Sequence, residues 1–138
     1  MSENKPRYKL SYEGLQCHIK RIKLPEIQAF KNIYPDKKYS IKLEIPEFTC
    51  ICPKTSLPDF ATIIIEYTPD KLCIELKALK KYILAYRNLG IFHENAVNRI
   101  LDDFVKSCKP RRVKVEGIFN VRGGIKASVL AEYNKSGR

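Results

Sequence analysis

The sequence predicts an α+β domain in which an antiparallel four-stranded sheet carries two helices on one face. Four short segments alternate apolar with polar residues or are rich in β-branched residues, as strands are, and two central segments repeat apolar residues at helical spacing. The elements follow the order strand, strand, helix, helix, strand, strand. A chain of 138 residues is long enough for one domain with a substantial core. We expect a basic, loosely ordered arm at residues 1–20 and a single domain at residues 21–138.

The first two strands precede the helices. Residues 39–45 alternate apolar and polar side chains with period two, which indicates a half-buried strand. Residues 60–67 are rich in β-branched side chains and are closed by Thr68-Pro69-Asp70. A short apolar piece at residues 72–74 leads into the first helix.

The two helices are predicted from stripes of apolar residues. The first covers about residues 76–88 and ends at Gly90; its stripe consists of Leu76, Leu79, Ile83 and Tyr86. The second covers about residues 94–108 and stops before Pro110; its stripe consists of Val97, Ile100, Leu101, Phe104, Val105 and Cys108.

Two further strands, at residues 113–121 and 125–133, are separated by a glycine-containing turn. A four-stranded open sheet leaves its two outer strands with unpaired backbone groups, and proteins cap such edges or join them to another subunit. Copies joined edge to edge close a barrel, which removes the edges. We therefore expect a cyclic homo-oligomer with its sites where subunits meet.

The composition restricts the class of protein. Lys and Arg number 26 against 15 Asp and Glu, and the net charge of +11 favours an anionic partner, either nucleic acid or a phosphorylated cofactor. No RNA-binding aromatic motif, zinc-finger spacing or helix-turn-helix pattern is present, and much of the charge fits a solvated surface. Apolar runs are too short to span a bilayer, and the N-terminus does not resemble a signal peptide. A cytoplasmic protein is expected, with its five cysteines as reduced thiols.

A thiol and a carboxylate, Cys52 and Asp59, stand seven residues apart in a segment that contains Pro53 and Pro58. Proline fixes φ and restricts the preceding residue, so Cys52 and Leu57 are expected in extended geometry. A thiolate can attack an electrophilic carbon while an acid protonates the heteroatom that gains charge. The pair therefore indicates a covalent thiol enzyme, and a cysteine that only packs in the core is the alternative.

Six short segments carry a family resemblance, namely residues 46–49, 52–55, 58–62, 75–82, 92–94 and 122–124. In content and in order they resemble the 7-cyano-7-deazaguanine reductases of queuosine biosynthesis, which are nitrile reductases of the tunnelling fold. The resemblance extends over about residues 24–133, and the chain is similar to the short, single-module form of that family.

The resemblance implies an oxidoreductase that converts 7-cyano-7-deazaguanine (preQ0) to 7-aminomethyl-7-deazaguanine (preQ1) with NADPH as the cofactor. By position, Cys52 is the nucleophile that adds to the nitrile carbon and forms a covalent thioimide, and Asp59 is the general acid that protonates the nitrogen. A nitrile accepts hydride poorly, and the thioimide is the better acceptor.

Substrate contacts are implied at two segments. Glu94 matches the family's purine anchor, since a carboxylate accepts two hydrogen bonds from the edge of a guanine-like ring. His93 beside it would place the substrate or carry a proton. A favourable charge in the first turn of a helix explains Glu94 equally well. Ile74, Glu75 and Leu76 match the segment that lines the substrate pocket, in part through backbone groups.

The cofactor is implied by lysines on the first helix. Lys77, Lys80 and Lys81 fit the binding of NADPH phosphates, including the 2′-phosphate that distinguishes NADPH from NADH. Lys81 departs from the family pattern, which has Leu or Tyr there, and this leaves the local packing open.

The turn Arg122, Gly123 and Gly124 is a second candidate for cofactor binding. Glycines allow the backbone to approach a phosphate closely, and the arginine could supply a further contact. A plain hairpin turn is the alternative.

Other interpretations remain open. Cys50 and Cys52 would face the same way on a strand and could join His93 or His18 in a metal site, but the spacing is not that of a zinc pair, and no metal is expected. An archaeosine-type amidinotransferase would use the same thioimide with ammonia on nitrile-bearing tRNA, although it would have no use for the cofactor motif. A non-enzymatic RNA-binding module would explain the charge and not the pairing of thiol and carboxylate. A small-molecule nitrile substrate, with no stable nucleic-acid partner and no membrane, is expected instead.

Overall fold

The computed structural model describes residues 16–136 of the chain, and the predicted α+β order of sheet and helices is confirmed there. In chain order the elements are β1 (Ala29–Lys31), β2 (Ile41–Ile51), β3 (Pro58–Thr68), β4 (Leu72–Ile74), α1 (Leu76–Leu84), a short 3-10 helix (Ala85–Asn88), α2 (His93–Cys108), β5 (Arg112–Phe119) and β6 (Ser128–Asn134).

The main sheet has the strand order β2-β3-β5-β6, and each neighbouring pair is antiparallel. On β5 the side chains of Val113, Val115 and Phe119 are buried, whereas those of Arg112 and Lys114 face away from the core and are exposed. This alternation places both helices on one face of the sheet, with α2 packed on β5 and β6.

Strand β2 is longer than the sequence pattern indicates, because a β-bulge interrupts its alternation. Ile45 pairs with Ile63 and Phe48 with Ala61, so three steps along β2 match two steps along β3. The extra residue lies at Pro46–Glu47, where both side chains are exposed. Phe48 therefore returns to the buried face instead of turning outward, and the strand continues to Ile51.

A separate two-stranded ribbon pairs β1 with β4, with Ala29 opposite Ile74. The sequence predicts the apolar piece that becomes β4 and misses β1. Three residues are too few to display a period, and β1 forms because a partner strand is available.

The first helix begins at a side-chain cap and is continued by the 3-10 helix, so together they cover the predicted residues 76–88. The Glu75 carboxylate accepts hydrogen bonds from the backbone N–H groups of Lys77 (3.0 Å) and Ala78 (2.7 Å). Leu76 was expected in the buried stripe, but its side chain is 58% exposed. At the first helical position it points away from the sheet, and Tyr82 takes a buried place instead.

The second helix agrees closely with its apolar stripe. It begins one residue earlier than predicted, at His93, and all the predicted stripe residues are buried except Val105, which is half-buried. The helix ends with Lys109 in a left-handed conformation (φ 46°), directly before Pro110.

Strands β5 and β6 are shorter than predicted, and the connection between them is still paired. The Phe119 N–H donates to the Ala127 carbonyl at 2.9 Å, and Arg122 and Ile125 exchange two backbone hydrogen bonds of 3.0 Å. The predicted hairpin turn is therefore present at Gly123-Gly124.

A buried polar network fastens the beginning of the described chain to the helices. The Tyr82 hydroxyl donates to Asp103 (2.5 Å), which also accepts from Arg99 Nε at 2.8 Å. The Arg99 guanidinium donates in turn to the backbone carbonyls of Ile19 and Ile22. Ile19, 7% exposed, packs in the core, so residues 16–20 of the predicted arm lie against α2, while residues 1–15 lie outside the described part.

The outer edges of β2 and β6 pair with no other strand within residues 16–136; Ile51, at the end of β2, forms one isolated bridge with Gly90. Backbone groups on both edges are therefore open to another strand. In the same range, no helix combines the length and apolar character needed to cross a membrane.

Candidate active site

The candidate nucleophile lies at the start of the loop between β2 and β3. The Cys52 N–H donates to the Leu57 carbonyl at 2.8 Å, and the Ser56 N–H donates to the Cys52 carbonyl at 2.9 Å. Ser56 adopts a positive φ of 62°, which closes this compact loop. Cys52 is thereby fixed by two backbone hydrogen bonds directly beyond the last residue of β2.

The surroundings of Cys52 favour its thiolate. Partial burial alone raises the pKa of the Cys52 thiol, but hydrogen bonds from the Thr55 side chain and from the Thr55 and Lys54 backbone outweigh it, so the pKa is lowered from its ordinary value. The nearby carboxylate of Asp59 has a smaller, opposing effect. The thiolate is the nucleophilic form of cysteine, so this half-buried thiol is chemically suited to attack.

Asp59 lies on the adjacent strand and is almost fully buried, with 4% of its surface exposed. Cys50 is its direct partner in the β2–β3 ladder. Cys52, two residues further on, is therefore a diagonal neighbour of Asp59, for which side chains are roughly 7–8 Å apart. That separation leaves room for a small electrophilic group between the thiol and the carboxylate.

Both oxygens of the Asp59 carboxylate are occupied. Oδ2 accepts a hydrogen bond of 3.0 Å from Nε2 of His93, and Oδ1 accepts one from Nη1 of Arg122. Arg122 also donates to the Pro58 carbonyl at 3.1 Å. The imidazole and the guanidinium together satisfy a carboxylate that would be costly to bury alone.

His93 is oriented by an aromatic stack at the start of α2. Its ring lies parallel to that of Phe119, with centroids 3.7 Å apart and planes 9° apart. Glu94 follows in the first turn and is exposed; within the described residues its carboxylate has no hydrogen-bond or ion-pair partner. A carboxylate in this position is favourable to the helix and is also available to a ligand.

Cys50 belongs to the core and not to the chemistry. It is fully buried, and burial, with a smaller effect of Asp59, raises the pKa of its thiol to about 12. Its Sγ lies 4.0 Å from the Ile91 carbonyl. In residues 16–136, no group of three or more His, Cys, Asp and Glu side chains is placed to hold a metal ion.

A second group of predicted site residues lies elsewhere. Glu75 and Leu76 line a groove with Ile41 and Leu43, near the beginning of β2, and the buried Ile74 precedes them. Cys50 follows Leu43 by seven residues along β2, of which the bulge residue adds little length, so at 3.3 Å per residue the two are about 20 Å apart. A single chain therefore does not bring this segment to Cys52.

The lysines of α1 form an exposed basic surface. Lys77, Lys80 and Lys81 are exposed, and none of their ammonium groups has an ion-pair partner within the described residues. Unpaired ammonium groups suit the phosphates of a dinucleotide. Lys81 stands where the family pattern has Leu or Tyr, and because its side chain is exposed it does not disturb the packing of the core.

The structure brings the predicted thiol, carboxylate and imidazole near one another, and sequence reasoning missed three features of their surroundings. Arg122 reaches Asp59 across 63 residues of sequence, Phe119 stacks on His93, and Thr55 supports the thiolate. Of the three, the contribution of Thr55 could have been predicted most easily, because a threonine hydroxyl often forms hydrogen bonds with groups a few residues earlier in the chain.

The fold and this thiol–carboxylate–imidazole site define a tunnelling-fold protein equipped for covalent catalysis. The fold is matched by a solved structure, "Crystal structure of the archaeosine synthase QueF-Like in the apo form", with a TM-score of 0.61 and 24% sequence identity. The match covers 69% of this chain and 91% of that one, and it shows the fold alone.

The family follows from sequence. A family model described as "QueF-like protein" matches residues 58–138. The chain is 56% identical over 113 residues to a protein of Elusimicrobium minutum (82% of this chain, 85% of the relative) and 57% identical over 110 residues to one of Chlorobaculum tepidum (80% and 94%). A relative from Nitrosococcus oceani is 54% identical over 112 residues (81% and 87%). All three are named NADPH-dependent 7-cyano-7-deazaguanine reductase. The chain belongs to the QueF-like family.

Proposed function

We propose that this chain reduces the nitrile of 7-cyano-7-deazaguanine (preQ0) to the aminomethyl group of preQ1 with NADPH, in queuosine biosynthesis. The names of relatives that are 54–57% identical to it over 110–113 aligned residues support the reaction. The observation in the structure that carries the proposal is the position of the Cys52 thiol, at the start of the β2–β3 loop, beside the buried carboxylate of Asp59, which His93 and Arg122 hold.

Cys52 acts in the first step. Its sulfur adds to the nitrile carbon, so that one C–S bond forms and one C–N π bond breaks, and the product is a thioimide held by the loop. The hydrogen bonds of Thr55 and Lys54 favour the thiolate, which is the nucleophilic form, by lowering the pKa of the Cys52 thiol. The neighbouring Cys50 does not compete, because burial keeps it protonated.

Asp59 and His93 supply the proton that the nitrile nitrogen takes up. Their hydrogen bond of 3.0 Å makes them a single proton-holding pair, and the Phe119 stack keeps the imidazole in line with the carboxylate. The thiol loses a proton as the nitrogen gains one, so thioimide formation needs no oxidant or reductant.

Glu94 is the anchor that we propose for the purine. Its exposed carboxylate, one residue after His93, can accept two hydrogen bonds from the N–H groups on the edge of the ring. Ile74, Glu75 and Leu76 would cover the other side of the substrate. The Glu75 carboxylate already caps α1, so its contribution would come from a rigid position.

Cofactor binding is assigned to Lys77, Lys80 and Lys81, with the backbone of Gly123 and Gly124 as a further phosphate contact. Both glycines are exposed and have open space around the position of a side chain. When bound, NADPH supplies the two hydrides that convert the thioimide carbon into the aminomethyl carbon. The residues of this chain orient it and neutralise its phosphates.

The complete site is proposed to form between copies of the chain in a cyclic homo-oligomer. The separation of about 20 Å between the Cys52 end and the Glu75 end supports this arrangement, because one substrate cannot touch both in a single copy. The open edges of β2 and β6 give each copy a means of joining the next.

Mixed oligomers test the composite site. Cys52→Ala and Glu75→Gln are each expected to be inactive, and random exchange of their subunits should restore about a quarter of the wild-type activity, since each site then draws its two halves from different copies. Recovery of no activity after verified subunit exchange would contradict the composite site.

The expected absence of a stable nucleic-acid partner remains part of the proposal, as does a cytoplasmic location. A reaction that needs a thiolate and NADPH agrees with a reducing compartment, and the described residues contain no disulfide.

The function is tested by mixing the protein with preQ0 and NADPH, following the near-ultraviolet absorbance of NADPH and recording the protein mass. Reduction of a nitrile to an amine takes four electrons, so two NADPH should be consumed per nitrile. A Cys52 adduct without NADPH oxidation would contradict reduction and indicate an amidinotransferase. If both the adduct and NADPH oxidation were absent and the protein bound RNA tightly and in a salt-sensitive way, it would be a binding module.

A further inference from the structure

The turn that contains Arg122 holds its side chain against the carboxylate of Asp59. Arg122 and Ile125 exchange both backbone hydrogen bonds, and Gly123 and Gly124 between them have φ values of 59° and 78°. Two consecutive left-handed residues between such a pair make a type I′ turn, the tightest connection in a hairpin. A side chain at either glycine would meet no atom within 4 Å, so the requirement for glycine is conformational.

The turn is also fixed to the sheet. The Asn120 N–H donates to the Phe60 carbonyl at 2.9 Å, which ties the base of the hairpin to the residue that follows Asp59. Arg122 therefore extends from a fixed hairpin and reaches the oxygen of Asp59 that His93 does not contact.

The contacts of Arg122 fix both the side chain and the backbone at the start of β3. The same nitrogen, Nη1, donates to the Asp59 carboxylate and to the Pro58 carbonyl. The Asp59 side chain is 6% exposed, while that of Arg122 is 36% exposed. A nearly buried carboxylate thus receives its permanent counter-charge from a half-buried guanidinium, and its two oxygens are held in one orientation.

We propose that Arg122 is a positioning residue for Asp59 in thioimide formation, and that contact with a cofactor phosphate is not its main role. This inference rests on the proposed function. Arg122 holds the carboxylate so that the proton shared by Asp59 and His93 reaches the nitrile nitrogen while the Cys52 sulfur bonds to the nitrile carbon. Both contacts are made by Nη1, and they set the position of the guanidinium on the carboxylate.

Thioimide formation without NADPH separates the two roles, because the cofactor takes no part in that step. Protein and preQ0 are mixed, and the adduct is followed by mass spectrometry in wild type, Arg122→Met and Arg122→Lys. Arg122→Met should form the adduct at least about tenfold more slowly, and Arg122→Lys should recover part of the rate because an ammonium group still reaches Asp59. The KM for NADPH should change less than about twofold in Arg122→Lys.

Arg112→Met is the matched control, since Arg112 is exposed at the other end of β5, and its adduct rate should equal that of wild type. Adduct formation at the wild-type rate in Arg122→Met, with a large rise in the KM for NADPH, would overturn the positioning role. If Arg122→Met fails to fold, Arg122→Lys decides alone: a slowed adduct with unchanged KM supports the role, and a normal adduct rejects it. Absence of an adduct in wild type would refute the proposed function instead.

Discussion

Replacing Asp59 by Asn tests whether this carboxylate is the proton donor. Asn is nearly the same size, but it offers one oxygen where Asp59 offers two. One of the two donors, His93 or Arg122, would then face an amide NH₂ group instead of an acceptor. The variant removes the acid and one hydrogen bond and leaves the volume of the site almost unchanged.

The cost in stability follows from these contacts. A hydrogen bond to a charged group contributes about 1.5–3 kcal/mol, and the released Arg122 is more than a third exposed and regains water, so the free energy of unfolding should fall by about 1–2 kcal/mol. For a domain of this length the melting temperature should drop by roughly 3–7 °C. The loss of general acid catalysis should slow adduct formation by about 10²–10⁴-fold. The rate effect is therefore far larger than partial unfolding could produce.

The assay is a single-turnover measurement of the Cys52 adduct at saturating preQ0, paired with calorimetric titration of preQ0 and a thermal melt. Binding of the purine should remain close to that of wild type, because Glu94 and not Asp59 is its proposed anchor. Asp102→Asn makes the same chemical change at an exposed position of α2 and should change neither rate nor melting temperature. An Asp59→Asn protein that forms the adduct within about threefold of the wild-type rate would refute the role of Asp59.

Four further outcomes are expected. Cys52→Ala should lose both adduct and turnover, whereas Cys50→Ala should retain turnover with a lower melting temperature; the reverse pattern in activity assays would exchange their roles. Thr55→Val should move the pH midpoint of iodoacetamide alkylation of Cys52 upward, because the hydrogen bond that lowers this pKa is lost, and an unchanged midpoint would contradict that cause. Tyr82→Phe should lower the free energy of unfolding by about 1–3 kcal/mol without changing kcat, as measured by denaturant titration, because Asp103 loses a buried donor. Lys80→Glu should raise the KM for NADPH and leave NADPH-free adduct formation unaltered; slowed adduct formation would argue against a purely cofactor-binding role.

The sequence was informative wherever a single element determined the pattern. The stripe of α2 predicted its burial because a helix of 16 residues repeats its period several times, and only the half-buried Val105 departs from it. Strand β1, with three residues, repeats nothing and depends on β4 for its existence. The exposed Leu76 shows the same limit at a helix end, where the position of the cap decides which way the first side chain points.

The contacts of the site also fall into those that local sequence predicts and those that depend on the tertiary structure. Cys52 and Asp59 are seven residues apart on one hairpin, and their proximity could be predicted from local sequence. The contact of Arg122 with Asp59 depends on the neighbouring positions of β3 and β5, which the order of the elements does not specify. The distance between Glu75 and Cys52 became apparent only once β2 was known to continue through its bulge to Ile51.

The β-bulge at Pro46–Glu47 decides which residues in the remainder of β2 face the core. If β2 paired regularly with Glu47 retained, so that no bulge absorbed the extra residue, Phe48 and Cys50 would turn to the opposite side of the sheet, and the thiol of Cys52 would leave the side on which Asp59 lies. Exposure of Phe48 alone would cost about 1.5–3 kcal/mol. The bulge, at two exposed residues far from the thiol, thus determines whether the side chains of Cys52 and Asp59 lie on the same side of the sheet.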